Sequence, residues 1–233
     1  ADSVSLDGGP GDDRLTAGTG NDTLSGGDGD DRLIGDEGDD TLDGGSGIDV
    51  LQGGPGSDTY AFADSFGEDR FSDATGTVTM DFTAMSQDLL VTISSRAMNY
   101  LTEGGYVATP RTEVVEVRLG AGNDSVHVSS FPERTITLRD VGGNDSYHFI
   151  FGRPGSTRPD GIFHIADAGG SFDEIIAEQK YSASPIGLNH YAIVNGREII
   201  TLEEGVERET LYGKAGLFTG RHALSSDVAI EER

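Results

Sequence analysis

Residues 8–61 read GGPGDDRLT, AGTGNDTLS, GGDGDDRLI, GDEGDDTLD, GGSGIDVLQ and GGPGSDTYA, six nonapeptides joined without a gap. Position 4 is always glycine (Gly11, Gly20, Gly29, Gly38, Gly47, Gly56), and position 6 is always aspartate (Asp13, Asp22, Asp31, Asp40, Asp49, Asp58). Position 8 is Leu15, Leu24, Leu33, Leu42 and Leu51, then Tyr60. Glycine also fills position 1 as Gly8, Gly26, Gly35, Gly44 and Gly53, and position 2 as Gly9, Gly18, Gly27, Gly45 and Gly54. A fixed short period of this kind marks a repeat architecture.

Each column has a physical reason. Glycine at positions 2 and 4 allows backbone angles closed to other residues, so that carbonyls can point inward around an ion. The stretch after the aspartate is a brief strand whose single leucine faces the interior. One nonapeptide is then a turn plus a strand, and two make a coil of 18 residues. Stacking such coils about 4.8 Å apart lines up the aspartates of alternate repeats. Asp13, Asp31 and Asp49 fall on one edge, with Asp22, Asp40 and Asp58 on the other. Carboxylates brought so close need something positive between them. Carboxylate and carbonyl oxygens without nitrogen or sulfur select calcium over zinc or copper. Pairing each repeat with the next but one encloses about four such sites, with half-formed ones at the ends.

These GGxGxD nonapeptides resemble the repeats-in-toxin (RTX) calcium-binding family. The resemblance implies a right-handed parallel β-roll that folds only with calcium, in a protein exported by type I secretion. It also implies a ligand set: the six aspartates, with the carbonyls of the glycines at positions 1, 2 and 4. Ala17 and Asp36 depart from the glycine columns, and neither removes a carbonyl, though Asp36 strains its turn. With Ile48 and Ser57 at position 5, the outer, charged position fades toward the C-terminal end of the array. The segment Phe62 to Phe71 looks like the aromatic stretch that closes such rolls, with Tyr60, Phe62, Phe66 and Phe71 covering the last coil. The roll is therefore expected over residues 8–73.

Composition agrees with a metal-dependent fold. The chain of 233 residues carries 41 acidic and 16 basic residues, a net charge of −25, and 35 glycines. Residues 1–73 alone hold 19 acidic and 3 basic residues, a density that opposes folding unless cations neutralise it. The charge argues against nucleic acid or an anionic membrane as partner. No apolar run approaches a membrane span, and with no cysteine there are neither disulfides nor thiolate sites.

From Thr77 onward, runs such as TVTMDFTA, RTEVVEVRL, SVHVSS, RTITLRD and REIITLEE alternate β-branched and polar residues between turn residues. Degenerate repeats recur as GAGND (120–124), GGND (142–145) and GGSFD (169–173), with Asp124, Asp145 and Asp173 at wider spacing. Residues 74–233 thus read as an irregular β-helix continuing the roll; the alternative is a β-sandwich docked on it. At Asp124 and Asp145 the turn suits calcium, and equally an ordinary Asn-Asp turn.

The five histidines form no HExxH pair, and no nucleophile elbow or phosphate loop is present. The pairs Glu203-Glu204 and Asp173-Glu174 read as solvated strand ends rather than catalytic carboxylates. The expected role is a non-enzymatic, all-β calcium-binding module of a larger secreted or cell-surface polypeptide. Two alternatives stay open. One is an adhesive or surface-layer segment binding a receptor, a glycan or a neighbouring copy, through a patch near Tyr100, Tyr106 and Arg111. The other is the accessory module of a secreted exoenzyme.

Overall fold

The computed structural model describes residues 2–150, apart from 74, 95–96, 104, 111–113 and 130–135, and beyond them the strands between 162 and 231. No helix occurs among the described residues, and every regular element is a strand. Through the nonapeptides run β1 (Ser5–Pro10), β2 (Arg14–Thr19), β3 (Thr23–Asp28), β4 (Arg32–Glu37), β5 (Thr41–Ser46) and β6 (Val50–Gln52). Next come β7 (Pro55–Ala63), β8 (Gly67–Ser72), β9 (Thr75–Ala84), β10 (Leu90–Ile93), β11 (Ala97–Leu101) and β12 (Gly105–Pro110). They are followed by β13 (Val114–Arg118), β14 (Ser125–Val128), β15 (Ile136–Asp140) and β16 (Ser146–Ile150). The last are β17 (Ile162–Asp167), β18 (Glu174–Glu178), β19 (Ser182–Gly187), β20 (His190–Asn195), β21 (Glu198–Leu202), β22 (Arg208–Tyr212) and β23 (Val228–Glu231).

From β1 to β10 and again from β12 to β19 successive strands fall alternately into two sheets, which makes a parallel β-solenoid, and β19-β20-β21 is an antiparallel meander at the edge of one sheet. One sheet is ordered β1-β3-β5-β7-β9-β13-β15-β17-β21-β20-β19, the other β2-β4-β6-β8-β12-β11-β10-β14-β16-β18-β22-β23. Register follows the sequence period. Leu6 pairs with Leu24, Leu24 with Leu42 and Leu42 with Tyr60 on the first sheet; Leu15, Leu33 and Leu51 do the same on the second. Because side chains alternate across a strand, only the position-8 residue and its near neighbours reach the interior. Leu24, Leu33, Leu42 and Leu51 are completely buried there. Ser5-Leu6-Asp7 is the strand half of a further repeat ahead of residue 8.

Past residue 61 the coil lengthens by two residues, with a register shift between Ala61 and Ala63, and the inward columns on either side stay aligned. Tyr60 stacks on Met80, Leu51 on Phe71, and Gly56 on Gly76. The aromatic segment expected to close the roll therefore lies inside the stack. Tyr60, Phe62, Phe66 and Phe71 are all buried, and Tyr60 and Phe71 lie 4.6 Å apart by ring centroids. The segment joins two parts of one stack, because β9 continues the first sheet over the same coil.

The irregularity comes one coil later. Between β9 and β13 the chain makes a three-stranded meander, β10-β11-β12, antiparallel within itself and parallel to β14 and β8 at its two sides. The second sheet thus gains two strands, about 10 Å of extra sheet, that the first sheet lacks at this level. Large rings occupy the core beside it. Phe82 stacks on Phe62 at 4.9 Å and lies 5.0 Å from Tyr100, while Phe66 meets Phe62 edge-on at 5.0 Å. Tyr100 is completely buried, so it cannot belong to an exposed aromatic patch; Tyr106 is 39% exposed, and Arg111 lies outside the described residues.

The glycine columns are needed for coil-on-coil contact. A Cβ on Gly38 would collide with the Gly20 carbonyl, and one on Gly47 with the Gly29 carbonyl. Asp36, at position 2 of the fourth repeat, adopts φ +82°, where Gly9, Gly27, Gly45 and Gly54 of the other repeats also have positive φ. A non-glycine residue held there costs about 1–2 kcal/mol. Asp36→Gly is therefore expected to stabilise the calcium-loaded chain by about 1 kcal/mol, and Gly38→Ala to destabilise it by about 2 kcal/mol or more. Thermal unfolding in excess calcium checks both. Equal or same-sign shifts would contradict this account of the turns.

Candidate metal centre

Each turn presents its aspartate in one fixed way. The backbone amide of Asp13 donates to Oδ1 of Asp31 (2.7 Å), and the amide of Asp31 to Oδ1 of Asp49 (2.7 Å). On the opposite edge the amide of Asp22 donates to Oδ1 of Asp40, and that of Asp40 to Oδ1 of Asp58, both at 2.8 Å. The first coil joins the pattern through Val4, whose amide donates to Oδ1 of Asp22 at 2.8 Å. Oδ1 is thus committed to holding the neighbouring coil.

Oδ2 is the other half of the carboxylate, and it is treated oppositely. In Asp13, Asp22, Asp31, Asp40, Asp49 and Asp58 this oxygen is buried and accepts no hydrogen bond. In every repeat but that of Asp22, where Ala17 stands at position 1, it lies against the position-1 glycine of its own repeat: a Cβ on Gly26, Gly35, Gly44 or Gly53 would run into Oδ2 of Asp31, Asp40, Asp49 or Asp58. The Gly44 and Gly53 carbonyls crowd the same space at Gly26 and Gly35. At Gly8, Gly26 and Gly35, carbonyl and carboxylate oxygens therefore converge in a cradle that the missing side chain leaves open. Its donor set is all oxygen, as a hard divalent cation requires.

A seventh member escaped the reading of the sequence. Gly67-Glu-Asp69-Arg-Phe71 repeats the spacing of position 4, position 6 and position 8, displaced by a two-residue insertion. The amide of Asp49 donates to Oδ1 of Asp69 at 2.9 Å, and Oδ2 of Asp69 is buried without a hydrogen bond. The G-x-D-x-aromatic pattern was the available signal, hidden by the reading of this stretch as a cap. On the other edge the series ends at Asp58, since its partner in the next coil is Val78.

The same turn returns in the later coils. The amide of Leu89 donates to Oδ1 of Asp124 (2.9 Å), and that of Asp124 to Oδ1 of Asp145 (2.6 Å). An outer ladder at position 5 is shared as well: Asp30 bonds to Asp12 and Asp39 to Asn21 in the repeats, and Asn144 to Asn123 here. Asp173, Glu203, Glu204 and His222 lie outside the described residues. His127 and His148 sit in register on neighbouring strands with rings 5.3 Å apart, His127 at the surface.

With this geometry in place, comparison with known families is decisive for the first part of the chain. Residues 7–42 and 34–63 match the family model described as the RTX calcium-binding nonapeptide repeat. Residues 7–63 are RTX repeats. RTX repeats bind calcium and form a structural rather than catalytic module. No curated protein matches the chain. Asp69, Asp124 and Asp145 fall beyond the RTX match.

Burial works against ionisation in the aspartate turns of residues 8–73. It raises the carboxyl of Asp49 to about 6 and that of Asp69 to about 8, opposed by the coil-to-coil amide bonds and reinforced by neighbouring carboxylates. Asp31, Asp40 and Asp58 shift upward for the same first reason, and Asp73 adds to the rise at Asp58. A carboxyl raised on folding favours the folded chain below its unfolded value, near 4, and loses that contribution as pH rises through the folded value. After removal of calcium by dialysis, β-structure is expected to be greatest near pH 4 and to fall as pH rises through 6 to 8. Added calcium reverses that trend. Far-ultraviolet circular dichroism against pH checks it, and a calcium-free chain equally structured from pH 4 to 8 would contradict it.

Proposed function

We propose that Asp13, Asp22, Asp31, Asp40, Asp49, Asp58 and Asp69 hold calcium between coils, together with the position-1, -2 and -4 carbonyls. The observation that carries this reading is the row of seven buried Oδ2 atoms without hydrogen bonds, five of them, in Asp13, Asp31, Asp40, Asp49 and Asp58, set against a position-1 glycine. Five aspartate pairs are linked coil to coil: Asp13–Asp31, Asp31–Asp49, Asp49–Asp69, Asp22–Asp40 and Asp40–Asp58. They support about five ions, one more than six repeats alone enclose. Calcium supplies the positive charge that lets these carboxylates ionise inside the fold.

Residues 8–73 serve in this reading as the calcium-binding unit of a larger secreted protein, and residues 74–233 as the β-solenoid carried on it. Where calcium is scarce the acidic repeats stay extended, a form suited to passage through a type I export channel. Outside the cell, calcium binds the folded form alone and draws the chain into it. The net charge of −25 and the acid-rich first 73 residues support this coupling.

A calcium titration of the dialysed chain, followed by circular dichroism and calorimetry, tests it. The expected result is a cooperative gain of β-structure with about five ions bound and no response to magnesium. Asp49→Asn keeps an acceptor for the Asp31 amide but removes a charge from two adjacent pairs. It is expected to raise the calcium midpoint by about tenfold or more, and Asp13→Asn, which serves one pair, by less. Full structure in chelator would overturn the folding switch.

A further inference from the structure

Beyond the RTX match the stack brings three carboxylates together. Asp124 ends the turn between β13 and β14, Asp145 ends the turn between β15 and β16, and Asp140 closes β15. One oxygen of each lies within 4.8 Å of the other two, and the residues are 1%, 2% and 3% exposed respectively. Asp140 stands five residues before Asp145, the place that in most of the repeats belongs to the glycine beneath Oδ2. A third carboxylate has entered where the roll keeps a gap.

Asp124 supplies the independent sign of a ligand. Its Oδ1 accepts from the Leu89 amide, whereas its Oδ2 is buried and accepts no hydrogen bond of ordinary geometry. Burial raises this carboxyl to about 6, against the lowering effect of the Leu89 and Gly120 amides and with Asp140 adding to the rise. A buried set of three carboxylates suits calcium, which takes protein oxygens at about 2.3–2.6 Å, better than magnesium, which dehydrates reluctantly and keeps several waters.

We infer that Asp124, Asp140 and Asp145 form a further calcium site, built from three carboxylates and separate from the RTX array. It pins the β13–β14 coil to the β15–β16 coil beyond the meander. Because affinity for calcium rises with the number of charged ligands, this site fills before the two-aspartate sites of the roll.

The test is calcium-binding stoichiometry and amide hydrogen exchange on the full chain and on two variants, Asp140→Asn and Asp140→Gly. The second restores the residue most repeats carry at this place. Each variant is expected to lose one bound ion, from the tightest class, and to lose calcium-dependent protection at the Leu89 and Asp124 amides. Protection at the Asp22 and Asp31 amides stays as in the parent, which shows that the variant is folded and its RTX sites are intact. Failure of the RTX reading alone would remove calcium-dependent protection at Asp22 and Asp31 in the parent while leaving it at Leu89 and Asp124. The inference is overturned if either variant binds the full number of ions and melts higher than the parent in calcium. That result would mean three carboxylates repelling one another with no ion between them.

Discussion

Everything in the first third of the chain depends on how one aspartate per turn divides its two oxygens. Oδ1 takes the amide of the adjacent coil and sets the spacing; Oδ2 is left facing a glycine-lined pocket with no proton donor. Stacking such turns repeats a buried negative charge at coil spacing, and two charges about 5 Å apart repel by about 3 kcal/mol even at an effective dielectric of 20. The hydrophobic contribution is thin, since each nonapeptide turns one large apolar residue inward, Leu15, Leu24, Leu33, Leu42, Leu51 or Tyr60. In the proposed reading a cation both offsets the repulsion and takes the oxygens left without a donor. Glycine at position 1 follows from the same constraint, because at Gly26, Gly35, Gly44 and Gly53 a side chain would run into the aspartate oxygens.

The rest of the solenoid keeps the turn and changes what fills it. Val78 and Leu89 stand where the aspartate would be, and at that level the core thickens with Phe62, Phe66, Phe82 and Tyr100. Apolar burial takes over where the charged column stops. The meander β10-β11-β12 widens one sheet and is accommodated by those rings. When aspartates return at Asp124 and Asp145, the hydrogen-bond pattern of the roll returns with them.

Much of this was legible in the residues. A strict period of nine dictated the strand positions, the inward leucines and the two edges of aspartates, and Asp36 announced its own strain. What escaped reading did so for physical reasons. The insertion before Gly67 broke the period while the inward columns stayed aligned, so Asp69 was passed over and its neighbours were taken for a cap. Strand β12 pairs with β8, far away in sequence, and the burial of the meander depends on that partner, which no local alternation reveals. Asp140 looks like an ordinary strand-end acid until the coil above places Asp124 beside it. Local pattern reports a repeat well; it does not report what a neighbouring coil brings into contact.

Amide hydrogen exchange at Asp13, Asp22, Asp31 and Asp40, followed as calcium is added to the dialysed chain at neutral pH, tests the central claim most directly. These are the amides that donate to the Oδ1 atoms of the next coil. The account predicts that all four exchange freely without calcium and become protected together over one narrow range of calcium concentration. Protection of the same amides in chelator would contradict it, since the coils would then be stacking without the ion.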